Sequence, residues 1–134
     1  MANQRIQLRN IQVNEFAIVA LKEPIPTGQT FNFDINFGYG VQVENSAVTV
    51  LTTISVFGKD KSTVYSRLQT ALQFVVNEPE FAKSDDKGNT TIGKELAQEL
   101  NSIALSTTRG ILYGHLKGTY LHAAILPVVN MNQN

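Results

Sequence analysis

Residues Gln29 to Glu44 read QTFNFDINFGYGVQVE, and this stretch decides the fold. Phe31, Phe33, Ile35, Phe37, Tyr39, Val41 and Val43 are apolar, and Asn32, Asp34, Asn36, Gly38, Gly40 and Gln42 stand between them. An alternation of period two puts one set on a buried face and the other in water, so the stretch is a β-strand. On a helix the same residues would spiral around the axis. At ~3.3 Å per residue the run extends for roughly 45 Å, long enough to be the spine of a sheet. Gly38 and Gly40 both fall on the polar side, where a strand of this length can bend to keep its face on a core.

Outward from this strand, the chain supplies three more. Before it, Ile6 and Leu8 alternate, then Ile11 and Val13 alternate on the opposite parity, which predicts a bulge near Arg9 and Asn10. Phe16 to Leu21 is nearly all apolar and reads as buried on both sides. Between the two strands, Pro24, Pro26 and Gly28 force a turn or crossing loop over residues 23–29. After Asn45 and Ser46, Val48, Val50, Ile54 and Val56 share one parity. Residues 58–62 read as a hairpin tip, and Val64, Leu68, Leu72, Phe74 and Val76 form the buried side of a fourth strand. Short polar turns between the last three strands make an antiparallel meander.

The period then changes. Residues 77–89 are polar and loop-like, and Thr90 or Thr91 is placed to cap a helix with Glu95 and Glu99 near its positive end. Ile92, Leu96, Leu100, Ile103 and Ile111, with Ala104 alongside, follow helical spacing as far as about His115, and Gly118 suits the stop. Ser106, Gly110 and Gly114 recur every four residues as a ridge of small side chains where another backbone could approach closely, a candidate oligomer interface. The competing reading is a helix weakened by ~1 kcal/mol per glycine with no compensating contact. The expected fold is α+β: a four-stranded antiparallel sheet with a long C-terminal helix packed on one face, in one domain spanning residues 1–134. Four strands at ~4.8 Å spacing make a sheet roughly 19 Å wide, while one helix covers only about 10–12 Å. Part of the apolar face is left over, and a second copy is the simplest cover.

Composition narrows the function. Apolar residues make up 43% of 134, which predicts a globular chain, and 11 basic residues balance 11 acidic ones. That balance gives no global attraction for nucleic acid or anionic lipid. There is no cysteine, so disulfides and thiolate metal sites are excluded. No stretch approaches the ~20 apolar residues of a membrane span, and the first twenty residues carry no signal-peptide pattern. A soluble, cytoplasmic protein is expected.

No enzymatic constellation stands out. His115 and His122 are seven apart without an intervening carboxylate and match no metal spacing. Asp85 and Asp86 lack the alternating oxygen ligands of a calcium loop. The 58–63 stretch loosely echoes a phosphate loop but lies between two strands, and Asp34 has no basic partner by spacing. Seven phenylalanines and four tyrosines concentrate in the strands and the loops beside them. Such residues supply contact area to varied apolar partners, although most also suit an ordinary core.

The run from Ile103 to Arg109 (IALSTTR), the step Gly118-Thr119 and the run from Ile125 to Asn130 (ILPVVN) resemble the family of the export chaperone SecB, its divergent SecB-like branch above all. The order of strands and crossing loop is similar too. Arg109, Gly118, Thr119, Pro127 and Asn130 match positions that look structural in that family. The resemblance implies an ATP-independent holdase that needs no cofactor and binds non-native polypeptide in an apolar groove. It also implies a homotetramer, a dimer of dimers with long helices layered between sheets. The groove would run between the crossing loop, at Pro24, Ile25 and Pro26, and the start of the aromatic strand, at Phe31 and Phe33. The family's second helix would fall after Asn134, which would leave this groove more open. The classical chaperone is acidic whereas this chain is neutral, so delivery to the translocase is not implied. A different outcome is a structural or dedicated-partner protein, antitoxin-binding for example, that keeps the fold without general holdase activity.

Overall fold

The computed structural model describes residues 5–19, 31–58, 63–84, 86–121 and 124. Strands β1 (Ile6–Ile18), β2 (Asn32–Gln42), β3 (Ala47–Phe57) and β4 (Val64–Val76) form one antiparallel sheet in the order β1-β4-β3-β2. A short hairpin of β5 (Ala82–Ser84) and β6 (Thr90–Ile92) follows, then the helix α1 (Lys94–Leu116). β1 and β2 therefore lie at opposite edges of the sheet. The expected α+β architecture is present, with its helix on the apolar face.

β2 pairs with β3 without a slip from Asn32 opposite Phe57 to Gln42 opposite Ala47. Phe33, Ile35, Phe37, Tyr39 and Val41 thus share a face with Val56, Ile54, Thr52, Val50 and Val48. The strand stops short of the expected Glu44, because Val43 to Asn45 coil into a 3-10 turn that leaves Val43 51% exposed. Ser46 at φ 52 ends that turn in the left-handed region and starts β3. Val64 also departs from expectation: a register irregularity beside Tyr65 sets it opposite Phe57, where it is exposed.

β1 has two bulges, one where the parity shift predicts it and one more. Its register against β4 shifts between Leu8 and Asn10 and again between Val13 and Glu15. Each extra residue inverts the parity, so Ile6, Leu8, Ile11, Val13, Phe16 and Ile18 all join the helix side. The stretch from Phe16 onward is not buried on both sides as expected, because Ala17 and Val19 are exposed.

The helix begins later than the threonines suggested. Thr90 and Thr91 are strand residues of β6, where β-branched side chains sit comfortably; Thr90 meets Ser84 across the hairpin, Oγ1 to Oγ 3.2 Å. The N-cap is Gly93, with no side-chain bond. Glu95 lies in the first turn and His115 in the last, as the helix dipole favours, and Gly118 at φ +83 ends the helix. The buried line is Leu96, Leu100, Ala104, Thr108, Leu112 and Leu116, with Leu105 beside it. This i+4 row seats on the sheet, so Ile103 falls on the flank and is exposed, and Ile111 is half-buried.

Two apolar clusters fill the space between layers. Val48, Val50, Leu72, Phe74 and Val76 pack under Leu96, Leu100 and Ala104. Ile54, Val56 and Leu68 pack under Leu105, Leu112, Leu116, Leu121 and Ala124. Between the clusters runs a polar waist: Thr52 pairs with Thr70 across the sheet, and Thr70 Oγ1 is 2.8 Å from Thr108 Oγ1 above it.

Candidate functional site

The sheet and helix leave two different surfaces, one on each flank of α1. On the β2 flank, Tyr39 at 42% exposure donates its hydroxyl to Asn101 Oδ1 and ties the strand to the helix. Burial of the ring raises the Tyr39 pKa, and the Asn101 hydrogen bond opposes that shift. Phe31, Phe33, Ile35 and Phe37 are half-buried and pack on the cluster beneath the C-terminal half of α1. Of the five residues expected to bind a client, Phe31 and Phe33 are thus placed side by side at one end of the sheet. Pro24, Ile25 and Pro26 lie outside the described residues.

That end of the molecule is rich in aromatics. Phe16 stacks at a tilt on His115, ring centroids 4.7 Å apart, and Tyr65 meets Tyr120 edge to face at 6.4 Å. The Tyr120 hydroxyl donates to Val19 O, and burial followed by the neighbouring Tyr65 raises its pKa. His115 Nδ1 lies 3.0 Å from Ile111 O. That contact is a helix-end bond to the backbone rather than a proton-transfer arrangement. Gly58 closes β3 against the Tyr65 ring, where a Cβ would stand 2.5 Å from the Tyr65 hydroxyl. The rest of the expected hairpin tip lies outside the described residues.

On the β1 flank the sheet is open. Arg5, just before β1, donates from Nε to Glu78 at 3.0 Å and from Nη1 to Glu99 on the helix at 2.6 Å. The Glu99 bond is the largest cause of the raised Arg5 pKa. Beyond this clasp Leu8, Ile11 and Val13 stay 36%, 46% and 40% exposed, and Ile103, one turn after Glu99 on the helix, is exposed too. These residues are the uncovered part of the face that the width argument anticipates.

The small ridge is likewise open. Ser106, Gly110 and Gly114 are all exposed, with Ser102 one turn before, on the side of α1 away from its buried row. A Cβ built on Gly110 or Gly114 would meet nothing within 4 Å. The monomer therefore does not require glycine at either position for packing.

A cavity of about 280 Å³ opens between Arg5, Glu78, Glu80, Phe81, Lys83 and the start of α1. Its charges are mixed, and Arg5 and Glu78 on its wall already pair with each other. Among the described residues no group of three His, Asp or Glu side chains is placed to hold a metal ion. Asp34 receives a 3.3 Å hydrogen bond from Asn36 on the wet face. No helix among the described residues is long and apolar enough to cross a membrane. The Arg5 clasp and the threonine waist are absent from the sequence expectations; the β1 apolar residues and an uncovered part of the face are among them, but not that the two coincide.

No protein-family model matches the sequence, and no curated protein matches it. Among solved structures, the chain is similar to a Mycobacterium tuberculosis SecB-like chaperone in complex with a ChAD peptide from the HigA1 antitoxin. The TM-score is 0.68 at 14% identity, over 94% of this chain and 91% of that one. On that likeness this chain has the SecB-like fold.

Proposed function

We propose that this protein is an ATP-independent chaperone that holds non-native polypeptide on an apolar groove beside β2. The observation that carries the reading is the row Phe31, Phe33, Ile35 and Phe37, half-buried at the sheet edge in a SecB-like fold. Such rings offer large contact area and tolerate varied apolar partners. Pro24 and Pro26 fix their own backbone torsions, so a loop built on them can present Ile25 at lower ordering cost. The protein acts in the cytoplasm as a dimer of dimers, with the ridge of Ser106, Gly110 and Gly114 as one of its contacts. No cofactor enters this role.

A second reading is favoured by one observation: the similar mycobacterial chaperone was solved with an antitoxin peptide bound. On that reading the same groove serves one dedicated protein partner and not clients at large. Suppression of aggregation of an unfolded test protein separates the two. Wild type should suppress, and Ile25→Asp with Phe31→Ser should stay folded and lose most of the effect. A folded double variant that suppresses like wild type moves the groove elsewhere; no suppression by wild type leaves the dedicated-partner reading.

A further inference from the structure

Each residue of a helix is turned about 100° from the one before it. The residue after each member of the buried row of α1 therefore faces one flank, and the residue before it faces the other. Three contacts say which flank is which. Glu99, before Leu100, reaches Arg5 beside β1, and His115, before Leu116, stacks on Phe16 of β1. Asn101, after Leu100, holds Tyr39 of β2. Arg109, after Thr108, and Tyr113, after Leu112, thus stand on the β2 flank with Asn101.

Arg109 is placed over the aromatic row. It follows Asn101 by two turns, ~12 Å along the axis, and at ~3.3 Å per residue that matches three to four residues of strand. The N-terminal half of α1 packs over Val41 and the C-terminal half over Phe31, Phe33 and Ile35, so the count along β2 runs backwards from Tyr39 and ends about level with Ile35. The Tyr39–Asn101 bond bars one end of this floor.

The cation has no counter-charge there. Arg109 is half-buried and makes neither an ion pair nor a hydrogen bond among the described residues. Both acids of α1, Glu95 and Glu99, precede members of the buried row and so stand on the β1 flank. The one charge of β2, Asp34, lies on the opposite face of the sheet, where Asn36 bonds it. A guanidinium that has already lost part of its hydration above an apolar floor favours a carboxylate, which it can hold with two parallel N–H bonds. The rings set no requirement of their own; Arg109 sets one.

We propose that Arg109 is a specificity-determining residue of the β2 groove, selecting apolar polypeptide segments that carry an acidic side chain level with Ile35. The inference rests on the groove reading above and adds the charge of what the groove takes.

Three fluorescent peptides test it, extended and apolar, identical except for Glu, Gln or Lys at the centre. By anisotropy at low salt, wild type should bind the Glu peptide at least about fivefold tighter than the Gln peptide, and the Lys peptide least. Arg109→Gln should bring the three within about twofold of one another, and Arg109→Glu should reverse the order. Circular dichroism and light scattering check that each variant keeps fold and mass; if neither does, the wild-type ranking alone decides. A wild type that binds Glu and Gln peptides equally, or a folded Arg109→Gln that still prefers Glu, overturns the role of Arg109 and leaves the groove standing. A wild type that binds none of the three overturns the open groove and this inference with it.

Discussion

The threonine waist sets where α1 sits, and its hydroxyls give opposite predictions for neighbouring residues. Thr70 and Thr108 are fully buried and share one hydrogen bond of 2.8 Å. Thr52, also fully buried, has a hydroxyl without a partner among the described residues. Thr108→Val keeps the shape and strands the Thr70 hydroxyl, which should cost about 1–3 kcal/mol. For a chain of this length that lowers Tm by roughly 4–10 °C. Thr52→Val removes a hydroxyl that gains nothing from folding, so it should be neutral or stabilise by up to about 1 kcal/mol. Thr70→Val with Thr108→Val removes both partners together and should lie within about 1 kcal/mol of wild type. Thermal unfolding followed by circular dichroism, at one fixed protein concentration, measures all four proteins. If Thr52→Val destabilises as much as Thr108→Val, or the double variant costs the sum of its singles, the waist is not built as described.

Gly110→Glu puts a charge on the open ridge, where the monomer has room for it, so light scattering should show a smaller assembly with an unchanged circular dichroism spectrum. Leu8→Asp should likewise weaken association without unfolding the subunit, because the residue is already partly in water. The raised pKa of Tyr39 makes the folded protein hold its phenol proton longer than the unfolded chain does. Its contribution is complete below the ordinary phenol pKa of about 10 and is lost as pH rises through the folded value. Alkaline unfolding of Tyr39→Phe should therefore lack part of the wild-type loss of stability above that pH.

Period-two alternation identified all four long strands, because burial on one face leaves a strict mark on every second residue. The threonine cap misled for a physical reason: Thr90 and Thr91 serve a strand as well as a cap, and only the pairing with Ala82–Ser84 decides between them. Ile103 misled because the helix seats by its i+4 row, a choice made by the sheet beneath and not by the helix itself. Arg5 was illegible for a different reason. Its partners Glu78 and Glu99 are remote in sequence, and no local pattern announces a contact across the fold. Of the candidate site, the aromatic row was read from sequence, whereas the open β1 flank needed both bulges to be known.

The two flanks of α1 have unlike chemistry, and this bears on how a holdase can also be an oligomer. A surface that accepts varied polypeptides and a surface that accepts only its own copy must not compete, or clients would block assembly. The β1 row is aliphatic, with Leu8, Ile11 and Val13 partly exposed along the sheet edge. The β2 edge is aromatic, and the hydroxyl of its Tyr39 already bonds within the chain. Rings whose polar atoms are satisfied internally demand nothing specific of what lies on them. On the proposed function, an oligomer contact on one edge and a client surface on the other would keep the two roles apart. It also orders the experiments: loss of suppression with intact mass implicates the aromatic edge, and loss of mass with intact subunits implicates β1 or the ridge.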